Sequence, residues 1–206
     1  MAKNKPVYRF FKRLFDVVMS VLAIIVLSPV YLVIAILIKC DSRGPVFYKH
    51  HRLGKNGKPF GMYKFRSMVV DADKKLGELP DEMQEEYEEN YKISDDPRVT
   101  KIGRFLRKTS LDEIPQFINV IKGEISLVGP RPIVESELEK YGDNKDKFLS
   151  VIPGITGNWQ ANGRSDVTYK ERMELELYYV DHASFWFDIV ILFKTVFAVV
   201  KQKGAK

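Results

Sequence analysis

The chain has 206 residues, 45% of them hydrophobic, and a formal net charge of +6. That length accommodates one domain plus a membrane element. The single cysteine, Cys40, excludes an internal disulfide, and no paired Cys/His spacing, G-x-G-x-x-G or Walker-type loop is present to hold zinc or cradle a nucleotide.

At the start of the chain Val7, Phe10, Phe11 and Leu14 recur at helical spacing, with Arg9, Lys12 and Arg13 between them. This is a basic amphipathic turn suited to an anionic membrane surface. Val17 to Ile38 follows, 22 residues without a charge, enough to cross a hydrocarbon core. Ser28-Pro29 lies in its middle, where a proline breaks or kinks a helix. Basic residues flank both ends: Lys3, Lys5, Arg9, Lys12 and Arg13 before, Lys39, Arg43, Lys49, Arg52, Lys55 and Lys58 after. The positive-inside rule applied to both flanks puts both in the cytoplasm. Residues 1–40 are therefore predicted to form an amphipathic start and a re-entrant helix broken at Ser28-Pro29, each half about 16 Å long, roughly one leaflet. A proline-kinked single span is the alternative, and a wholly buried core helix also fits the run. A signal peptide does not, since the run is too long and ends in Ile36-Leu37-Ile38-Lys39. Cys40 at the membrane edge is an interfacial thiol or an acylation site.

Residues 41–206 are predicted to form a cytoplasmic catalytic domain with interfacial helices. Val46-Phe47-Tyr48 and Phe60 to Phe65 read as two strands around the turn Gly54-Lys55-Asn56-Gly57, a short β-hairpin. Between Asp71 and Asn90 nine acids stand against two lysines, which leaves +13 for the rest of the chain. The acidic stretch reads as a solvated helix or loop. The basic remainder suits nucleotide phosphates and anionic lipid head groups. Nucleic acid is disfavoured as a partner, because the aromatics sit in apolar runs rather than alternating with basic residues.

Asp96-Pro97 breaks the chain, and Val99 to Lys108 reads as a short helix carrying Arg107. Next comes Ser110-Leu111-Asp112-Glu113-Ile114-Pro115. Ser110 and Glu113 have capping-box spacing. Proline is best placed in a first turn, so either Ser110 or Asp112 is the N-cap of a helix running through Ile121 to Lys122 and Gly123. In both registers Asp112 lies at the positive helix end, which favours its ionised form. Such a carboxylate can be a nucleophile or a ligand for a hard cation such as Mg²⁺; both acids acting only as caps is the plainer reading. Leu127-Val128-Gly129-Pro130-Arg131-Pro132 then holds Arg131 between two prolines. A guanidinium so constrained is prepared to bind phosphate through two parallel hydrogen bonds; an ordinary surface turn is the alternative.

Ile152 to Gly157 is a turn rich in special backbone positions. Trp159-Gln160-Ala161-Asn162-Gly163-Arg164 follows, offering an indole, two amides and a guanidinium to a base or sugar. Tyr169 to Tyr179 reads as a helix. Phe185 to Val200, charged only at Asp188 and Lys194, reads as a C-terminal helix that packs on the core or lies at the interface. The fold class is thus α+β, mostly helical: a re-entrant membrane helix hairpin plus a small cytoplasmic catalytic domain with a short β-hairpin.

From Phe11 to about Lys201 the chain resembles the monotopic phosphoglycosyl transferases, bacterial sugar transferases acting on polyprenyl phosphates. The resemblance rests on Ser28-Pro29, Tyr63-Lys64-Phe65-Arg66-Ser67-Met68, Ser110 to Pro115, Leu127 to Pro132, Pro153 to Gly157 and Gln160 to Arg164, in that order. It implies transfer of a sugar 1-phosphate from a UDP-sugar to undecaprenyl phosphate at the cytoplasmic face of the bacterial inner membrane, with release of UMP. It further implies that Asp112 is the nucleophile and that Glu113 serves Mg²⁺ binding and catalysis, with Asp112 also at the metal. Lys64, Arg107 and Arg131 would handle phosphate, and Gln160, Asn162 and Arg164 the nucleotide sugar. Anionic lipids are expected partners, and a homodimer is one expected assembly. Two positions depart from the family's pattern: Asn158 stands where Leu is usual, and Glu176 where Asp is usual, which puts that carboxylate's contacts in doubt. The large N-terminal membrane domain of longer relatives is absent from this sequence, so a minimal form is expected. The segment Arg164 to Arg172 with Leu177-Tyr178-Tyr179 leans towards galactose or glucose as the sugar. A membrane-bound phosphatase using the same carboxylates, and a non-catalytic scaffold with a basic face, are the rival readings.

Overall fold

A computed structural model describes residues 6–90, 93–162 and 167–200. Helix α1, Pro6–Asp41, is 36 residues long and runs through Pro29 without interruption. The expected break at Ser28-Pro29 therefore does not divide the helix. A local hydrogen bond accounts for this. Pro29 has no N–H for the carbonyl four residues earlier, that of Ile25, and the Ser28 hydroxyl donates to that carbonyl at 2.8 Å instead.

Two separate stretches of α1 rest on the same body. Near its start, Arg13 donates to the carbonyls of Val120 and Ile121 at 2.5 and 2.7 Å, and buried Asp16 accepts from the Ser126 hydroxyl at 2.7 Å. Near its end, the Tyr31 hydroxyl donates to the Ile114 carbonyl at 2.5 Å, and Ile34 and Ile38 join Phe65 and Leu106 in a core cluster. Each such isoleucine contributes about 1.5–3 kcal/mol by leaving water. Between these anchors Val21, Leu22, Ile25 and Val26 stay exposed.

The predicted hairpin is present and longer than expected. Strands β1 (Phe47–Leu53) and β2 (Pro59–Phe65) pair antiparallel, with Tyr48 opposite Lys64 and His50 opposite Met62. The acidic stretch ends in helix α2, Asp81–Asn90. Helix α3, Lys101–Thr109, starts at Thr100, whose side chain accepts from the Gly103 N–H. It leans on the chain at Ser67 so closely that a Cβ on Gly103 would collide with that backbone.

The helix predicted to begin at Ser110 is organised differently. Ser110 is left-handed (φ 57°) and ends α3, with no side-chain cap bond; a single 3₁₀ turn, Leu111–Glu113, precedes α4, Gln116–Lys122. Pro115 stands at the N-cap of α4, so neither Ser110 nor Asp112 caps it. Gly123 takes the left-handed C-cap as predicted.

Strand β3, Ser126–Val128, leads to short helices α5 (Glu135–Leu138) and α6 (Lys145–Leu149) and then to β4, Gly154–Thr156. β4 pairs parallel to β3, a pairing that local pattern did not reveal. Gly129 and Gly154 meet backbone to backbone, with no room for a Cβ on either. Helix α7 is Asn158–Asn162, and α8, Tyr169–His182, opens on a full capping box between Thr168 and Glu171. Helix α9, Phe185–Val200, buries Ile191 in the main core with Val120, Val128 and Tyr179. It nevertheless leaves Trp186, Phe193 and Phe197 exposed.

Candidate active site

The 3₁₀ turn after α3 presents Asp112 and Glu113 towards the hairpin. Asp112 is 7% exposed. Strand β2 supplies Lys64, whose ammonium lies 2.7 Å from Glu113 Oε1 and 3.5 Å from Asp112 Oδ2. A second basic residue comes from α3: Arg107, tied through its Nε–H to the Ser67 hydroxyl at 3.0 Å, acts electrostatically on Asp112. From the loop after β3, Arg131 acts likewise on Glu113. Five of the predicted residues, Lys64, Arg107, Asp112, Glu113 and Arg131, thus converge from β2, α3, the 3₁₀ turn and the loop after β3.

The two carboxyls are electrostatically unequal. Burial pushes Asp112 above the usual carboxylate range, although Lys64 and Arg107 pull the other way. This differs from the expectation that a helix end would hold Asp112 ionised: Asp112 stands in a 3₁₀ turn ahead of α4 rather than at its N-cap, and burial disfavours its charged form. Burial acts on Glu113 too, but Lys64 and Arg131 outweigh it and hold Glu113 low. Two adjacent acids with opposite shifts can divide their roles.

Arg131 is held from its backbone. Its N–H donates to Glu176 Oε1 at 3.3 Å, and the Tyr141 hydroxyl donates to Glu176 Oε2 at 2.6 Å. Glu176, which departs from the family's usual Asp, is thus partnered on both of its oxygens. Arg131 and Arg172 both lie over the Trp159 ring, 5.7 and 4.6 Å from its centre. Among the described residues no carboxylate lies within ion-pair distance of the Arg131 guanidinium.

Local sequence did not reveal the network behind this arginine. Buried Glu137 pairs with Arg52 at 3.1 Å and with Arg172 at 3.3 Å. Arg52 in turn lies 3.5 Å from His50 Nδ1. Burial and the surrounding Arg52, Lys64 and Arg131 push His50 down to about 3, so its imidazole is neutral near pH 7. The one available signal was alternation along the hairpin: His50, Arg52 and Lys64 share a face once the register is known.

The α7 residues are placed less directly. Gln160 turns its amide oxygen towards Gly157. Asn162 donates to Asn158 Oδ1 at 2.7 Å and accepts from Lys194 of α9 at 2.7 Å, so its partners lie away from the carboxylate pair. Asn158 bonds the Leu175 carbonyl at 2.9 Å, which gives the unusual residue a structural partner on α8. Arg164 lies outside the described residues.

The donor set was also weighed for a divalent cation. Among the described residues no third His, Cys, Asp or Glu completes a metal-binding group. Two carboxylates still fit Mg²⁺, which commonly takes its remaining ligands from phosphates and water. The Lys64 ammonium already stands as a cation at that position.

Comparison with known proteins adds a separate line of evidence. A family model described as bacterial sugar transferase matches residues 7–202. An undecaprenyl-phosphate galactose phosphotransferase of Salmonella typhimurium is 48% identical over 96% of this chain, which spans 42% of that relative's length. The UDP-glucose:undecaprenyl-phosphate glucose-1-phosphate transferase of Escherichia coli is 42% identical over 97% of the chain, again 42% of the relative. The exopolysaccharide production protein ExoY of Sinorhizobium fredii is 45% identical over 98% of the chain and matches across 90% of its own length.

Proposed function

The chain belongs to the bacterial sugar transferase family, and from that premise we propose that it moves a sugar 1-phosphate from a UDP-sugar to undecaprenyl phosphate, releasing UMP. The observation that carries this reading is the Asp112–Glu113 pair, bridged by Lys64 and faced by Arg107 and Arg131. Few reactions need a buried carboxylate nucleophile among so many phosphate-binding cations, and phosphoryl-type transfer is one.

In this reading Asp112 Oδ attacks the β-phosphorus of the donor. The bond from that phosphorus to the bridging oxygen breaks, UMP leaves with the electron pair, and the sugar phosphate remains as an acyl phosphate on Asp112. An oxygen of the lipid phosphate then attacks the same phosphorus and frees the Asp112 carboxylate. Arg131 and Arg107 bind the phosphate oxygens and stabilise the charge that builds on them. Glu113, held ionised by its basic neighbours, accepts hydrogen bonds and orients Lys64. Asp112 and Glu113 would also hold Mg²⁺, which when bound offsets the negative charge of the diphosphate.

Where the lipid phosphate arrives follows from α1. Two of its stretches are anchored on one body and leave an exposed apolar middle between them, which in this reading would enter one leaflet while both anchored stretches stay with the body on the same side. This supports a re-entrant, monotopic placement at the cytoplasmic face of the inner membrane. The relatives' names favour galactose or glucose as the sugar and polysaccharide assembly as the setting.

The test is purified protein in detergent with Mg²⁺, undecaprenyl phosphate and a panel of UDP-sugars. UMP release that depends on the lipid supports the transferase and identifies the sugar. Phosphate release without lipid points to a hydrolase, and silence with every donor defeats both.

A further inference from the structure

We propose that Lys64 is a resident counter-ion that keeps a divalent cation out of the Asp112–Glu113 pair until a diphosphate draws the ammonium away. The inference deepens the transferase reading and relies on it only for the identity of the diphosphate.

Three observations support it. The Lys64 ammonium lies against one oxygen of each carboxyl that would hold the metal, Glu113 Oε1 at 2.7 Å and Asp112 Oδ2 at 3.5 Å. The surroundings are already basic, since Arg107 acts on Asp112 while Arg131 and Arg52 act on Glu113. A bare dication would therefore enter against like charges while displacing a satisfied ion pair. Finally, the Lys64 side chain is 20% exposed and reaches the pair from strand β2 on a flexible four-carbon stem. It can swing to a phosphate oxygen without moving the hairpin.

A diphosphate changes this balance. Its oxygens take over the lysine as partner and supply the negative charge and ligands that a hard cation needs. Metal and nucleotide then bind with positive coupling, and each raises the affinity for the other by the same factor. Lys64 would thus guard an empty pair against adventitious metal and make loading depend on donor.

The experiment uses the full chain in detergent and follows free Mn²⁺ by its paramagnetic resonance signal, with Mn²⁺ as the probe for Mg²⁺. Wild-type protein should bind Mn²⁺ at least about tenfold more tightly with UDP than without it, after correction for Mn²⁺ bound by UDP alone. Lys64→Met should bind Mn²⁺ without UDP at least about tenfold more tightly than wild type does. Lys64→Arg, which keeps the charge, should stay near wild type. Adding Asp112→Asn and Glu113→Gln to Lys64→Met should abolish the gain and place the ion at the pair.

If folded Lys64→Met gains no Mn²⁺ affinity, the proposal is overturned. Should that variant fail to fold, the wild-type titrations decide, and equal Mn²⁺ affinity with and without UDP overturns it. Failure of the transferase reading looks different: no UDP-sugar would turn over, while Lys64→Met would still gain Mn²⁺.

Discussion

The backbone N–H of Arg131 donates to the Oε1 atom of Glu176, 45 residues further along the chain, at 3.3 Å. Glu176 is 1% exposed, and its other oxygen accepts from the Tyr141 hydroxyl at 2.6 Å. The carboxylate thus fixes the main chain from which the Arg131 guanidinium projects. Glu176→Ala would orphan the buried Tyr141 hydroxyl and the Arg131 N–H and leave Arg172 with one carboxylate fewer. Each orphaned group costs about 1–3 kcal/mol. Melting should therefore fall by at least about 4 °C, and turnover should drop as Arg131 loses its aim. Glu176→Gln, which keeps an acceptor for the Arg131 N–H, should recover most of the turnover. Unchanged turnover in a less stable Glu176→Ala would confine this residue to a structural role.

Asp112→Asn should abolish turnover, because the amide is nearly isosteric but a far poorer nucleophile. It should also raise the melting temperature at pH 7. Burial lifts Asp112 above its unfolded value, so the native state bears a cost wherever the group is ionised. As pH falls through the folded value towards about 3.9, the native state takes up its proton first and that cost disappears. The variant's advantage should therefore shrink with acidification, at about 2–4 °C for each kcal/mol. Mass spectrometry of wild type incubated with donor and no lipid should find a sugar-phosphate adduct on Asp112. If no adduct forms and both substrates must bind before UMP leaves, the two-step mechanism fails.

Arg131→Lys keeps the charge but loses the planar fork, and turnover should fall at least about tenfold. Arg107→Ala should be comparably harmful through loss of the charge beside Asp112. Steady-state kinetics across the better donors decides between roles. Near-normal kcat and KM in Arg131→Lys would reduce Arg131 to a surface turn residue. A lower melting point alone in Arg107→Ala would reduce its role to the Ser67 hydrogen bond.

Topology depends on Ser28-Pro29. In a Cys40→Ser background, cysteines placed at exposed Arg9 and Lys58 should both react with a membrane-impermeant reagent from the cytoplasmic side only. Reaction of either from the opposite side would refute the re-entrant placement. Pro29→Ala restores the N–H and removes the clash with the Ile25 carbonyl, so the helix should straighten and favour spanning. Ser28→Ala leaves that carbonyl without its hydroxyl donor, and stability in detergent should fall by about 1 kcal/mol.

The sequence by itself determined those features that are written within a few neighbouring residues. The uncharged run of α1, the hairpin around Gly54 to Gly57, the C-cap at Gly123 and the helices after Thr168 and Ser184 all follow from periodicity, turn chemistry and caps. The motifs around Asp112 and Arg131 were equally legible, because a proline or a pair of acids carries its chemistry locally, whereas Lys64 was marked only by the family resemblance. Tertiary structure alone decided the rest. The parallel pairing of β3 with β4 joins segments far apart in the chain, and Glu137 and Glu176 reach their arginines only after α5 and α8 have packed. The Asp112 shift also took its sign from packing, because burial of the carboxyl is its largest cause. Ser28-Pro29 shows the same division: proline predicts a break, but the serine hydroxyl meets the Ile25 carbonyl and the helix runs on. Local pattern fixes which residues can do chemistry, whereas desolvation and long-range partners fix their charge, aim and neighbours.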